Sequence, residues 1–339
     1  MKGIVYTKSG QLDGVKMNQV NKPVPAEDQV LVRVKSSSIN FLDYVPFEKH
    51  FTKGRRLIGP RLSFKRFLDS GINNVMGCDF AGIVEAVGKQ VQDIEVGDKI
   101  FGITNDFHFG AWAEYVCVNE SQLAFTPSNL GFKECAALPM AAGTAVSLVT
   151  GAKVSVNQQV LLVGATGGVG LYALQLAKSL GAEVTVVSRP AGFKTVQKFG
   201  ADHVIEAREN WAKGVTTKFD SIIILNGRRS LGAMRRLLTP NGYYVEVHQN
   251  KTEISKNPFG DMMETGVRWN RGHFERLIVR PDWLWKVANL AQRQSIRPYI
   301  EQTFSINDVQ SAIKYAIQNH LNGKVALMMD FDGEYNEER

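Results

Sequence analysis

Gly164-Ala165-Thr166-Gly167-Gly168-Val169-Gly170, near the middle of the chain, has the make-up of a turn that brings main chain close to a phosphate. An apolar run, Gln159 to Val163, precedes it, and apolar residues at helical spacing follow from Leu171 to Leu180. The glycines therefore sit between a buried strand and a helix, the context in which such a cluster binds a dinucleotide. Glycine there permits the tight turn, leaves room for an anion against the backbone, and lets the helix pack close to the sheet. The free N–H groups and dipole at the helix start favour that anion by about 0.3–1 kcal/mol. The competing reading is a glycine turn that only packs, and the alternation of strands and helices around it weighs against that. A cofactor with a free ribose 2′-hydroxyl would want Asp or Glu at the end of the second strand, but the chain has Ser188-Arg189, with Lys194 beyond. A guanidinium there would hold a 2′-phosphate by charge-assisted hydrogen bonds worth about 1.5–3 kcal/mol, so the expected cofactor is NADPH. A solvated arginine at a strand end is the alternative.

The elements that must position this turn fall into three stretches. From Met1 to about Asn119 the chain favours short β-branched runs bounded by turn residues: Gly3-Tyr6, Gln29-Lys35, Gly82-Val87, Lys99-Phe101 and Ala113-Val118. Then strand-like runs (Gln159-Val163, Glu183-Val187, Val204-Ile205, Ser221-Leu225, Tyr243-Val247) alternate with helix-like ones (Leu171-Leu180, Phe193-Phe199, Leu231-Leu238). Parallel neighbours need such crossovers, so this part predicts a doubly wound parallel sheet of the α/β class. After Pro281 a helix (Asp282-Arg293), a strand near Pro298-Phe304, a helix (Ile306-His320) and a strand (Lys324-Met329) send the chain back to its first domain. The expected division is a β-rich catalytic domain over 1–125, a nucleotide-binding domain over 126–281 and a returning segment over 282–339.

Composition sets the outer bounds. With 339 residues, 44% hydrophobic and 22% charged, the chain is long enough for about two folded domains. Its three cysteines, Cys78, Cys117 and Cys135, build neither a disulfide framework nor a CxxC zinc site, which points to a reducing compartment and a cytoplasmic protein. Polar residues interrupt the N-terminus before a secretory signal could form, and glycines break the longest apolar stretch, so neither a leader nor a membrane span is expected. The net charge of +7 favours anionic ligands, among which nucleic acid, CoA and NADPH all qualify. A polar tail from Asp330 to Arg339 is expected to fray.

Taken together, several motifs resemble the medium-chain dehydrogenase/reductase superfamily, and within it the zinc-independent quinone oxidoreductase-like branch. They are Ser37-Ser38-Ile39-Asn40-Phe41-Leu42-Asp43, Gly77-Cys78-Asp79-Phe80-Ala81-Gly82, Gly97-Asp98-Lys99-Ile100-Phe101-Gly102, Gly110-Ala111-Trp112-Ala113-Glu114-Tyr115, Ala136-Ala137-Leu138-Pro139, Gly143-Thr144-Ala145, the glycine turn, and Gly323-Lys324-Val325. The resemblance implies a GroES-like β-rich domain with an inserted Rossmann doubly wound parallel-sheet domain, the site lying in the cleft between them. It also implies a homodimer joined by edge strands of the nucleotide domains, for which Glu275-Val279 is the candidate edge.

Zinc-dependent members carry cysteine where Asn40 stands and Gly-His-Glu where Gly77-Cys78-Asp79 stands, so no metal is expected. The six histidines offer no pair at metal-ligand spacing in its place. Without a Lewis acid, hydride moves most easily into an acceptor that delocalises the new charge, such as a quinone or an α,β-unsaturated carbonyl. The resulting oxyanion needs a hydrogen-bond donor and a proton. Asn40 could supply an amide hydrogen and Tyr44 a phenolic one. Asp43 matches a position that orders this loop and contacts substrate or the nicotinamide ribose. The competing reading is that Asn40 and Asp43 only cap a turn. By the same resemblance Thr144 contacts the nicotinamide phosphate or ribose, Asn226 and Gly227 line the nicotinamide loop, and Lys324 reaches a phosphate. As plain sequence, Gly143-Thr144 reads as a helix-start turn and Lys324 as an exposed strand residue. Arg228 and Arg229 stand where many relatives have small residues.

A basic stretch from Glu48 to Arg66, interleaved with Phe51, Leu57, Ile58 and Phe64, reads as a solvated face and lid or as a site for an acidic substrate. The latter makes an enoyl-CoA-type (acyl-CoA) reductase the near alternative. A low-turnover NADPH-binding interaction or RNA-binding protein is the alternative of another class. Basic and aromatic residues together suit single-stranded nucleic acid, but no RNA-binding motif accompanies them.

Overall fold

The computed structural model describes residues 1–7, 11–44, 47, 74–104, 109–225, 231–247, 264–270, 273–278 and 283–331. The chain opens with a hairpin-like pair, β1 (Lys2–Tyr6) and β2 (Val15–Gln19), in antiparallel register. The long strand β3 (Gln29–Ile39) runs into a single helical turn, α1 (Phe41–Tyr44). Next come β4 (Asp79–Val87), β5 (Lys99–Ile103), β6 (Tyr115–Asn119) and β7 (Leu123–Phe125). After helices α2 (Phe132–Ala136) and α3 (Pro139–Gly151) the parallel part begins. It runs β8 (Gln159–Val163), α4 (Gly168–Ser179), β9 (Glu183–Ser188), α5 (Phe193–Lys198), β10 (His203–Glu206), β11 (Phe219–Ile224), α6 (Leu231–Leu237) and β12 (Leu238–Glu246). An antiparallel extension, β13 (Glu264–Asn270) and β14 (His273–Ile278), follows, then α7 (Trp283–Gln292), β15 (Ile300–Ser305), α8 (Val309–Gln318) and β16 (Lys324–Met328).

Among the described residues the strands form two seven-stranded sheets beside the β1-β2 pair. One has the order β10-β9-β8-β11-β12-β13-β14, parallel as far as β12, so the strand order reverses between β8 and β11. In doubly wound sheets, ligands bind outside the strand ends at that reversal. The other sheet has the path β15-β16-β3-β4-β5-β7, with β6 also on β3. The last strand has thus returned to the first domain, pairing Val325 with Ile39 and Ala326 with Ser38. One step further along this register stand Lys324 and Asn40.

Helix α3 joins the two halves. Its sequence, PMAAGTAVSLVTG, is buried on nearly every face, and it lies against α4 and α7 and reaches strands of both sheets. Alanine and glycine let those backbones come close, which a run of larger side chains would prevent. Here the structure corrects the sequence reading, because Gly143 and Thr144 lie inside α3 rather than at its start. The start signal is Pro139, whose fixed φ and missing N–H suit the first turn of a helix. Strand β14, the candidate edge, does end the parallel-sheet order, and Val279 lies outside the described residues. Among the described residues no helix is long and apolar enough to cross a membrane.

Candidate active site

Three glycines of the central turn are required by backbone conformation or by close packing. Gly164 has φ +89°, a left-handed backbone that favours glycine. A side chain on Gly170 would lie 2.6 Å from both the Ala165 Cα and the Gly164 carbonyl oxygen, so α4 could not approach β8. A side chain on Gly168 would meet the Lys324 Cδ at 2.7 Å. Gly167 differs: nothing lies within 4 Å of where its Cβ would be. It faces open space and caps α4 without a side chain, which leaves a cradle of N–H groups that a Cβ would obstruct. These residues fit a dinucleotide pyrophosphate.

The rest of the expected cofactor set gathers in part. Ser188 ends β9, buried, with its hydroxyl donating to the Arg189 carbonyl at 3.1 Å. Arg189 and Lys194 follow and are exposed. A side chain on Gly192 would sit 2.4 Å from Thr166 Cγ2 and 2.5 Å from Ser188 Oγ, so this strand end lies directly against the glycine turn. Thr144 is buried and its hydroxyl donates to the Met140 carbonyl at 2.6 Å, one helical turn back. Asn226, Gly227, Arg228 and Arg229 lie outside the described residues, as does the basic stretch from Glu48 to Arg66.

The catalytic set lies in an interior cluster of charges. Asn40 N–H donates to Asp43 Oδ2 at 2.7 Å, and Asp43 N–H donates to the Asn40 carbonyl at 3.0 Å, so Asp43 does close the turn at the start of α1. The Asn40 side chain is occupied elsewhere. Its Nδ2 donates to Asp79 Oδ2 at 2.9 Å, and its Oδ1 accepts from Lys324 Nζ at 2.6 Å. Lys324 also donates to the Ile39 carbonyl at 3.0 Å and stands 3.6 Å from Asp79 Oδ2. Asp79 accepts further hydrogen bonds from Ser38 Oγ at 2.9 Å and from the Met140 N–H, in the first turn of α3, at 3.1 Å. Beneath it Trp112 Nε1 donates to Ser37 Oγ at 3.0 Å. Tyr44 is half-buried on α1, its ring edge-on to Phe41 with centroids 5.5 Å apart.

Burial governs the electrostatics. Asp43 and Asp79 are fully buried and Lys324 is only 4% exposed. Burial pushes the Asp43 carboxyl up to about 7, its bond from Asn40 opposing the shift and the charge of Asp79 adding to it. Burial also raises Asp79, against the pull of Lys324, Asn40, Ser38 and Met140, and lowers Lys324 against the pull of the two carboxylates. The Cys78 thiol, 3.9 Å from Asp43 Oδ1, is driven well above its ordinary value by burial and by both acids.

Lys324 therefore departs from its reading as an exposed strand residue. Its stem passes Gly168 at the mouth of the glycine turn and its ammonium arrives at Asn40, so one side chain links the phosphate cradle to the acid cluster. A main-chain bond from the Gly323 N–H to the Thr166 carbonyl at 2.8 Å holds the same junction. Reasoning from sequence brought Asn40, Asp43 and Lys324 into the candidate set and left out Asp79, Ser38 and the Met140 N–H. The available signal was Ser36-Ser37-Ser38, three hydroxyls at the end of a strand that is otherwise apolar enough to be core.

Comparison with known proteins agrees with this architecture. The alcohol dehydrogenase GroES-like domain matches residues 26–128 and the zinc-binding dehydrogenase domain matches 199–327. The chain is 31% identical over 283 residues to a 2-methylene-furan-3-one reductase of Solanum lycopersicum, covering 76% of this chain and 69% of that protein. It is 26% identical to an NADPH-dependent alkenal/one oxidoreductase, chloroplastic, of Arabidopsis thaliana, covering 96% and 79% of the two chains. In fold it resembles the quinone oxidoreductase from Coxiella burnetii, with a TM-score of 0.80, 23% identity, and coverage of 97% and 99%. A GroES-like sheet closed by the returning strand, a Rossmann sheet with its glycine turn, and relatives over most of its length establish that the chain belongs to the medium-chain dehydrogenase/reductase superfamily, among its quinone oxidoreductase-like members.

Proposed function

We propose that this protein is an NADPH-dependent oxidoreductase that transfers hydride to quinones or α,β-unsaturated carbonyls without a metal. The observation that carries the reading is the Lys324 side chain, which spans from the glycine turn to the amide of Asn40 and so places a donor-bearing residue beside the cofactor cradle. Relatives named as alkenal/one and furanone reductases support the substrate class.

In this reading NADPH supplies the hydride when bound. The turn from Gly164 to Gly170 holds its pyrophosphate against the start of α4, and Arg189, with Lys194, takes the 2′-phosphate at the exposed end of β9. Thr144 and Asn226 complete the residues assigned to this neighbourhood by family position, while the Lys324 ammonium expected there is held by Asn40 and Ile39 instead. The acceptor's carbonyl oxygen gains negative charge, and Asn40 offers it the Nδ2 hydrogen that does not go to Asp79. A donor already held in place costs no reorganisation as charge develops. Tyr44, at the end of α1, is the proposed source of a second donor. Asp43 is fully buried, so we assign it to holding the Asn40 turn rather than to touching substrate.

The metal-free proposal rests on the donor chemistry of the residues present. Asn40 and Asp79 hold an ammonium that already supplies the local positive charge, and an amide beside a carboxylate paired to that ammonium leaves no free ligand set. A homodimer through β14 and a reducing compartment are also part of the proposal. The described cysteines are free, and Cys78 and Cys135 are buried. The test is consumption of NADPH, followed at its absorbance band, with a panel of quinones and enones and with CoA added as a competitor. Turnover with enones or quinones that CoA leaves untouched supports the reading. Competition by CoA moves the assignment to acyl-CoA substrates, and salt-dependent RNA binding without turnover removes it.

A further inference from the structure

We infer that Lys324 and Asp79 are positioning residues that lock the side-chain amide of Asn40 in one orientation, and that Lys324 serves the acceptor end of the site rather than a cofactor phosphate. The inference rests on the proposed role of Asn40 as donor to the acceptor oxygen.

A side-chain amide has two ends of opposite polarity, and a flip exchanges them. At Asn40 both ends are specified. The ammonium of Lys324 can only donate, so the atom 2.6 Å from it must be Oδ1. The carboxylate of Asp79 can only accept while ionised, so the atom 2.9 Å from its Oδ2 must be Nδ2. Flipping the amide would set a carbonyl oxygen against a carboxylate and an NH2 against an ammonium, two repulsions in a site where Asp79 and Lys324 are almost wholly buried. One Nδ2 hydrogen and one lone pair of Oδ1 then remain with fixed directions.

The scaffold holds both locks independently of Asn40. Asp79 is anchored by Ser38, by the Met140 N–H in the first turn of α3, and by its pairing across β3 and β4, where Ser38 faces it. Lys324 is anchored by the Ile39 carbonyl and by the β16 register that sets Val325 opposite Ile39. Its stem lies against Gly168, and because that residue lacks a side chain the lysine can pass between the two domains. With its ammonium on Asn40 and Ile39, reaching a phosphate at the turn would require breaking both charge-assisted bonds.

The experiment compares Lys324→Ala, Asn40→Ala and the double variant, with NADPH affinity measured separately by fluorescence titration. If Lys324 acts through Asn40, Lys324→Ala lowers kcat roughly ten- to hundredfold while the dissociation constant for NADPH stays within about twofold. The double variant is then no slower than Asn40→Ala alone. Methylammonium or ethylammonium added to Lys324→Ala restores kcat severalfold, which a purely structural lysine would not allow. If Lys324→Ala does not fold, Lys324→Met, which keeps the apolar stem, takes its place. The inference is overturned if NADPH affinity falls tenfold with kcat retained, or if the two single losses multiply in the double variant. A readout independent of turnover is the Asn40 side-chain amide signal in protein labelled with nitrogen-15 at asparagine. The hydrogen donated to Asp79 is protected from exchange in the native protein and unprotected in Asp79→Ala. Should the native protein reduce no quinone or enone, the proposed function falls, and this signal alone decides whether the amide is locked.

Discussion

Replacing Asp43 by asparagine tests the electrostatics of the interior cluster. Asparagine keeps an oxygen to accept the Asn40 N–H, now 2.7 Å from Asp43 Oδ2, and removes the buried acid. In the folded protein burial raises the Asp43 carboxyl from 3.8 to about 7. A carboxyl raised on folding holds its proton in the native state after the unfolded chain has lost it, so its contribution to stability is complete below 3.8 and disappears as pH rises toward 7. The full difference corresponds to about 4 kcal/mol, and the part falling between pH 5 and pH 8 to about 3 kcal/mol. The assay is urea unfolding of the native protein and Asp43→Asn at half-unit steps across that range. The variant should gain on the native protein by about 3 kcal/mol from the acid to the alkaline end, most of it before pH 7. Parallel curves across the whole range would mean that Asp43 is instead a carboxylate kept ionised by its donor and by Lys324.

Other consequences follow from single features. Arg189→Ala should raise the Michaelis constant for NADPH about tenfold or more and leave that for NADH nearly unchanged, as steady-state kinetics with both nucleotides will show; equal changes would remove Arg189 from the 2′-phosphate site. Gly167→Ala and Gly170→Ala should separate binding from folding. The first adds a methyl to open space and should weaken NADPH without lowering the melting temperature, whereas the second drives a methyl to 2.6 Å from backbone atoms and should lose about 1–3 kcal/mol of stability together with cofactor affinity. If β14 joins two protomers, sedimentation equilibrium gives a dimer, and a charged residue introduced at Leu277 gives a monomer that still binds NADPH; a monomeric native protein contradicts that edge.

The nucleotide half was legible because its signals are local. The apolar run before Gly164, the glycine spacing and the helical repeat after it lie within about twenty residues, and the strand Gln159–Val163 matches its expected bounds. The acid cluster was not legible in the same way. Lysine at a strand start reads as solvent-facing, and only the return of β16 to β3 sets Lys324 among partners that are 284 residues away in sequence at Asn40. Asp79 entered the reading as part of a motif, since nothing nearby in sequence announces that Ser38, Asn40 and the first turn of α3 all converge on it. Thr144 was misplaced for a different reason. The Ala-Gly-rich segment around it resembles a turn in composition, but its helix is stabilised by burial between two sheets rather than by helix propensity.

The proposed function stands on direct hydride transfer from NADPH to a conjugated acceptor. The decisive measurement is turnover of an enone with NADPH carrying deuterium at both nicotinamide C4 positions, in protein stripped by a chelator and checked for residual metal. The expected result is turnover equal to that of unstripped protein with the same deuterated cofactor, and product with one deuterium at the β-carbon and a solvent proton at the α-carbon. Loss of activity on chelation that zinc restores, or product without deuterium at the β-carbon, would contradict it.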